Sequence, residues 1–320
     1  MSKKFSYTIG FDLGGTKLAS ALVRSDGLII DFIKVPVEMR KEKSPTVTQK
    51  RVVNMMADIA MDFKNRFPQF LKSPYFKGIG LASAGPLNVE TGTLIYPTNY
   101  PGWKIVPIQK MTEKEIQARG FNAKVAFQND AMAAAYAEGW TGKAKHLKSY
   151  ALVTVGTGIG SGVIVNGQPC QTNGAGSEFG HIIVDYKGFL KDSENSHDYS
   201  VEGVASGTGL INRARKLGFK GNSVEELIEE NNPKYDFLFD EMAGALASLC
   251  FNLSVGFHLE GIFLSGGLIK IKDLYFKSTI QSYKKLVRQF NPLFECSIEI
   301  AKTKNQAGVV GAAYLPYLKG

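Results

Sequence analysis

The chain has 320 residues, 44% of them hydrophobic and 21% charged, with 38 Lys and Arg against 29 Asp and Glu for a net charge of +9. That length suggests about two domains at roughly 150 residues each, and the composition excludes a disordered chain. The basic residues are scattered through 34–51, 64–77, 143–148, 213–220 and 270–288 with no dense run interleaved with aromatics, so the charge reads as a solvated surface and excludes a nucleic-acid partner. Segments 5–11, 18–24 and 28–35, rich in β-branched and aromatic residues, predict three strands separated by Asp12-Leu13-Gly14-Gly15 and Ser25-Asp26-Gly27. A helix is expected over 47–67, ending before Pro68, then strands at 77–83 and 122–127 and a helix from Asp130. A second series begins with strands at 149–155 and 161–165 and the hairpin dipeptide Asn166-Gly167. Helices are expected at 200–217, 223–230 and 237–258, a strand at 261–265, a helix at 273–289, a strand at 296–301 and a last helix at 305–318.

Met1-Ser2-Lys3-Lys4-Phe5 leads into the first strand pattern without an apolar leader stretch, and no apolar run approaches the ~20 residues that cross a bilayer. The expectation is a cytoplasmic protein without a membrane partner. Cys170, Cys250 and Cys296 are far apart, odd in number and without a CxxC pair, which reads as reduced thiols.

The two halves resemble each other. Ile9-Gly10-Phe11-Asp12-Leu13-Gly14-Gly15-Thr16-Lys17 is a strand, a glycine turn and a return strand, and Val155-Gly156-Thr157-Gly158-Ile159-Gly160-Ser161-Gly162 repeats that plan. The reading is two α/β domains of like topology facing each other across a cleft, where a ligand would sit. A turn without Cβ atoms lets backbone N–H groups converge on an anion, and Thr adds a hydroxyl donor. Neither turn has a common nucleotide fingerprint, because each leads into a strand and not a helix. Asp12 at the mouth of the first turn either stabilises that turn or faces Mg²⁺, usually held through water. Gly266-Gly267 ends the strand Gly261–Ser265, and the close backbone approach there suits a flat ligand such as adenine. On the residues alone, Asp130 is equally an N-cap or a functional acid.

Together these motifs resemble the ROK family (repressor, open reading frame, kinase), and within it the glucokinase-like hexokinases, over nearly the whole chain. Asp12-Leu13-Gly14-Gly15-Thr16-Lys17 resembles the family's first phosphate loop, and Gly156-Thr157-Gly158-Ile159-Gly160-Ser161-Gly162 its second. Asn129-Asp130 resembles the family's Asn-Asp pair. Gly174–His181 resembles its sugar-binding stretch, and Ser265-Gly266-Gly267 its adenosine segment. The resemblance implies an α/β fold of two actin-like (ribonuclease H-like) domains around a central cleft, the last helix returning to the first domain. The smaller domain would hold 1–129 plus 305–320, the larger 130–304. It implies a homodimer that transfers the γ-phosphoryl group of ATP, with Mg²⁺ at Asp12, to the 6-hydroxyl of an aldohexose, glucose first.

Asp130 would be the catalytic base and Asn129 would orient the sugar. Glu178, His181 and Glu202 would bind hexose hydroxyls with Asn99 from the first domain, while the neighbouring Trp103 is read as packing. Gly14, Gly15, Thr16, Lys17, Gly156, Thr157 and Gly158 would hold ATP phosphates, and Gly266 and Gly267 the adenosine. Many family members bind structural zinc through cysteines that follow the His. Here 182–201 contains none, and His181 with His197 cannot complete a four-ligand site, so no structural zinc is expected. The alternatives are a kinase for an N-acetylated hexosamine or fructose, a sugar-sensing regulator, for whose helix-turn-helix domain the first strand near residue 5 leaves no room, and a non-catalytic sugar-binding protein.

Overall fold

A computed structural model describes residues 5–39, 44–303 and 306–318. The reading of Met1-Ser2-Lys3-Lys4, part of the basic segment 34–51 and the expected helix start at 305 lie outside the described residues. The chain forms two compact units: Met1–Lys145 with Gln171–Gly176 and Gln306–Gly320, and His146–Cys170 with Ser177–Asn305.

In the first unit β1 (Tyr7–Leu13), β2 (Lys17–Arg24) and β3 (Ile29–Pro36) form the expected meander, followed by α1 (Pro45–Arg66) and β4 (Phe76–Ser83). Proline at the first turn of α1 sits where its missing N–H costs nothing. A small sheet of β5 (Leu87–Asn88), β6 (Thr93–Ile95) and β7 (Ile105–Val106) comes next, then α2 (Ile108–Ala118), β8 (Val125–Asn129) and α3 (Asp130–Thr141). The small sheet and α2 are additions to the elements expected from the sequence. In the second unit β9 (Tyr150–Val155), β10 (Ile159–Val165) and β11 (Gln168–Pro169) form another meander. It is followed by α4 (Tyr186–Lys191), α5 (Val201–Ala205), α6 (Gly207–Lys216), α7 (Val224–Glu229), α8 (Asp236–Phe257), β12 (Gly261–Ser265), α9 (Phe276–Phe290) and β13 (Ser297–Ile300). The last helix, α10 (Ala307–Leu318), belongs to the first unit.

The two main sheets are ordered β3-β2-β1-β4-β8 and β11-β10-β9-β12-β13, so the second repeats the first. β1, β4 and β8 are parallel, as are β9, β12 and β13. This is the duplicated actin-like arrangement. In the first sheet Ile9, Phe11, Leu13, Leu18, Ile79 and Leu81 bury their bulk with residues of α1 and α2. The opposite face is made of small residues, including Ala19, Ala21 and Ala82, and packs with α3 and α10. Gly10 and Gly80 are required on that face, because a Cβ at either would run into the carbonyl oxygen of Val309 or Ala312 on α10. Gly311 of α10 meets the backbone of Ala133 on α3 in the same way. Because α3 is locked to α10, the unit boundary falls after Lys145 and not after 129.

The helix expected over 200–217 is two helices. Ser206 is extended (φ −83°, ψ 163°) and its Oγ accepts the Gly209 N–H at 3.0 Å, capping α6. Ser200 caps α5 likewise through the Gly203 N–H at 3.1 Å. Around α8, Pro233–Phe257 is long and apolar enough by composition to cross a membrane, a property its sequence pattern did not single out. Its buried residues Leu238, Met242, Leu246, Leu249 and Leu253 lie in the second core with Val153, Ile262 and Leu264.

Candidate active site

Parallel strands bring their carboxyl ends to one edge of a sheet, where open α/β folds place ligands. In the first unit Asp12 lies beside Ala82, Leu13 beside Ser83, and Ser83 beside Asn129. The glycine turn is closed by Gly14 N–H donating to the Lys17 carbonyl at 3.0 Å, which leaves Thr16 exposed at the tip. Burial, and then the facing charge of Asp130, pushes the Asp12 carboxyl up to about 7, with Lys17 pulling it back. Gly308, in the first turn of α10, approaches the Asp12 carboxylate so closely that a Cβ there would overlap it.

The N-cap of α3 is Asn129, not Asp130. Asn129 Oδ1 accepts from the Ala131 and Met132 N–H groups at 2.9 and 3.2 Å, so its Nδ2 points elsewhere as a donor. Asp130 Oδ1 accepts from the Ala131 N–H at 2.8 Å, and burial raises its pKa against that bond. Asn99 is held to the same place: a Cβ on Gly15 would lie 2.8 Å from the Asn99 carbonyl oxygen. Tyr100 fixes this loop, donating to the Leu13 carbonyl at 2.5 Å and meeting Ser83 Oγ at 2.7 Å. Sequence reasoning missed Tyr100, whose signal was a tyrosine next to the candidate Asn99. Trp103 is buried and tilted against Tyr100 with centroids 5.0 Å apart, a packing residue as expected. The first unit thus gathers Asp12, the Gly14–Lys17 turn, Asn99, Asn129 and Asp130.

In the second unit the Gly156 N–H donates to the Gly158 carbonyl at 3.0 Å, and Thr157 is exposed at the tip. The turn is tied to α6, whose Gly207 and Thr208 N–H groups donate to the carbonyls of Gly156 and Thr157 at 2.8 and 3.2 Å. Gly266 has φ +98° and packs so tightly on Val155 that a Cβ would overlap the strand. A cavity of ≈ 360 Å³ opens here, lined by Gly156, Thr157, Thr208, Asn212, Gly267 and Lys270 among others. Sequence reasoning also missed the contribution of Ser206-Gly207-Thr208; the Ser-Gly step inside a helical pattern was its signal. A larger cavity of ≈ 540 Å³ lies between Tyr199, Arg213, Phe237 and Glu241, where Arg213 and Glu241 pair with each other.

Glu202 joins this turn from α5: its Oε2 accepts the Ile159 N–H at 2.6 Å, and a Cβ on Gly158 would overlap that oxygen. Glu178 and His181 are exposed on a loop anchored by Ser161, which bonds the Ser177 carbonyl and accepts the Phe179 N–H at 3.2 Å. The cysteine-free segment after His181 is ordered by protein contacts. Val184 N–H donates to the Tyr199 carbonyl at 2.8 Å, Val201 N–H to the Ile182 carbonyl at 2.9 Å, and Lys216 pairs with Asp198 at 2.7 Å. This fold brings Glu202 to His181 and His197, a third group beside the two that the sequence pattern leaves as an incomplete set.

A duplicated α/β chain of the actin-like, ribonuclease H-like class, with the conspicuous side chains at the carboxyl edges of both sheets, is what these features define. Within that class the chain belongs to the ROK family, whose model matches residues 8–317. It is 29% identical over 325 residues to a protein named glucokinase from Halalkalibacterium halodurans, covering 96% of this chain and 94% of that one. It is 25% identical over 314 residues to an N-acetylmannosamine kinase from Haemophilus influenzae, with the same coverages. The crystal structure of a ROK hexokinase from Thermus thermophilus superposes with a TM-score of 0.80 at 25% identity, covering 98% of each chain.

Proposed function

We propose that the chain is an ATP-dependent sugar kinase that phosphorylates the 6-hydroxyl of an aldohexose, with glucose as the preferred acceptor. The observation that carries this reading is that Asp12 and Asp130 come to the same carboxyl edge of the first sheet, beside the first glycine turn. Phosphoryl transfer needs charge neutralisation, positioning and one base. Asp130, its pKa raised by burial, suits proton acceptance from the sugar hydroxyl while that oxygen bonds the γ-phosphorus and ADP departs. Asp12 is buried and near a like charge, with Lys17 opposing the shift, which fits a residue that holds Mg²⁺. Mg²⁺ would supply charge neutralisation on the phosphates.

Asn129 donates through Nδ2 to the sugar, and Glu178, His181, Glu202 and Asn99 take the ring hydroxyls. The exposed tips of Gly14–Lys17 and Gly156–Gly158 receive phosphates, and the cavity beside Gly266 and Gly267 receives adenosine. The kinase names of the two relatives, glucokinase and N-acetylmannosamine kinase, support the class, and the second keeps an N-acetylhexosamine kinase as the alternative acceptor reading. A site that hydrogen-bonds hydroxyls rejects a substituted sugar, since an unpaired buried polar group costs ~1–3 kcal/mol. Specificity constants decide it: glucose should give the highest kcat/KM among glucose, N-acetylglucosamine, N-acetylmannosamine and fructose. A higher value for any of the others would overturn the acceptor and leave the kinase class standing.

A further inference from the structure

Two histidines and a carboxylate meet where a zinc-binding cysteine cluster is missing. Among the described residues, His181, His197 and Glu202 bring their potential ligand atoms within 4.8 Å of one another. The rings of His181 and His197 are 6.0 Å apart, and His197 Nε2 stands 3.6 Å from Glu202 Oε1. That is too long for a hydrogen bond, yet near the ~3.3 Å that separates two ligands on a tetrahedral zinc with bonds of ~2.0–2.1 Å.

The Glu202 carboxylate is oriented by a bond to its other oxygen, and the main chain at both histidines is tied down. Glu202 Oε2 is taken by the Ile159 N–H, which turns Oε1 toward His197. The His181 backbone N–H donates to the Glu178 carbonyl at 3.1 Å, and the His197 backbone carbonyl accepts from Ser200 Oγ at 2.7 Å. Orientation of a ligating carboxylate by a hydrogen bond to its other oxygen, as at Glu202, is what metal sites use.

We propose that His181, His197 and Glu202 form an exchangeable site for a transition-metal dication, with Zn²⁺ the best match to two imidazoles and one carboxylate. Three protein ligands leave a position open, and the His197 side chain is 54% exposed, so the site is accessible and reversible. It is not structural: the surrounding segment is held by its own hydrogen bonds and by Lys216–Asp198. On the reading that His181 and Glu202 also contact hexose, metal and sugar compete for the same two side chains.

The test titrates ZnCl₂ into chelator-washed, nucleotide-free full-length protein by calorimetry near neutral pH, with Co²⁺ absorption as a second readout. The expected result is one Zn²⁺ per chain in the micromolar range and a Co²⁺ spectrum of low coordination number. His197→Ala should weaken binding at least ~10-fold with unchanged Tm, and His197→Gln serves if alanine impairs folding. Absent stoichiometric binding, or binding unaffected by both variants, overturns the site. Saturating glucose should weaken zinc binding. Zinc binding undiminished by saturating glucose would keep the metal site and overturn the sugar-contact reading of His181 and Glu202, whereas glucose binding without zinc binding would do the reverse.

Discussion

In the first unit the glycine turn between β1 and β2 follows Asp12, a carboxylate built into the strand and held near Asp130. In the second, the matching turn between β9 and β10 follows Val155, and the acid that reaches it, Glu202, arrives from a helix 43 residues downstream of Ile159, whose N–H it accepts. The backbone plan is the same, strand, turn and return strand within sheets of equivalent order. At the first turn burial, more than the neighbouring charge of Asp130, raises the Asp12 carboxyl pKa. The second is backed by the amino end of α6 and opens on a cavity. A duplicated topology therefore supplies the same exposed glycine turn twice, while the side chains around it differ: two carboxylates lie at one sheet edge and a cavity at the other.

Removing the acid from the first edge should have the largest effect. Asp130→Asn is expected to lower kcat by at least the ~10²-fold typical of losing a general base while hexose affinity stays within a few-fold. The Asn129 cap on α3 is independent of Asp130, so the helix should persist. Turnover close to wild type would move the chemistry away from this edge and break the contrast.

A smaller effect tests the cost of holding a charge at Asp12, set first by burial and then by Asp130. Folding lifts the Asp12 carboxyl from the ordinary 3.8 to about 7, so the folded state binds this proton more tightly than the unfolded state. That contribution to stability is fully present below about pH 4 and is lost as pH rises through about 7. Asparagine does not titrate. In chelator, the Tm of Asp12→Asn should therefore gain on wild type by several degrees between pH 4 and pH 8, with about 1.4 kcal/mol for each tenfold difference in proton affinity as the upper scale. A Tm difference that is flat across this window would show that Asp12 carries no electrostatic penalty.

Much of this was legible in the sequence because it is local. Glycine turns after β-branched runs, the Asn-Asp pair at a strand-to-helix junction and the Asn166-Gly167 hairpin all announce themselves within a few residues. Asn166 and Gly167 do adopt positive φ, 51° and 76°. What escaped depends on distant partners. Which of Asn129 and Asp130 caps α3 is decided by the side-chain geometry at the end of β8. The role of Tyr100 requires the ends of β1 and β4 to be adjacent. The pairing of His197 with Glu202 exists only because the loop after His181 folds back through Val184 and Tyr199. The break at Ser206 was readable as a Ser-Gly cap but was overridden by the helical pattern on both sides.

The most direct measurement is sugar-dependent ADP formation by the purified chain with Mg²⁺ and ATP, with the sugar product identified. The proposed hexose kinase predicts ADP and hexose 6-phosphate in equal amounts, strictly dependent on hexose and on Mg²⁺. No hexose-dependent ADP with any of these sugars, while both nucleotide and sugar bind, would contradict it.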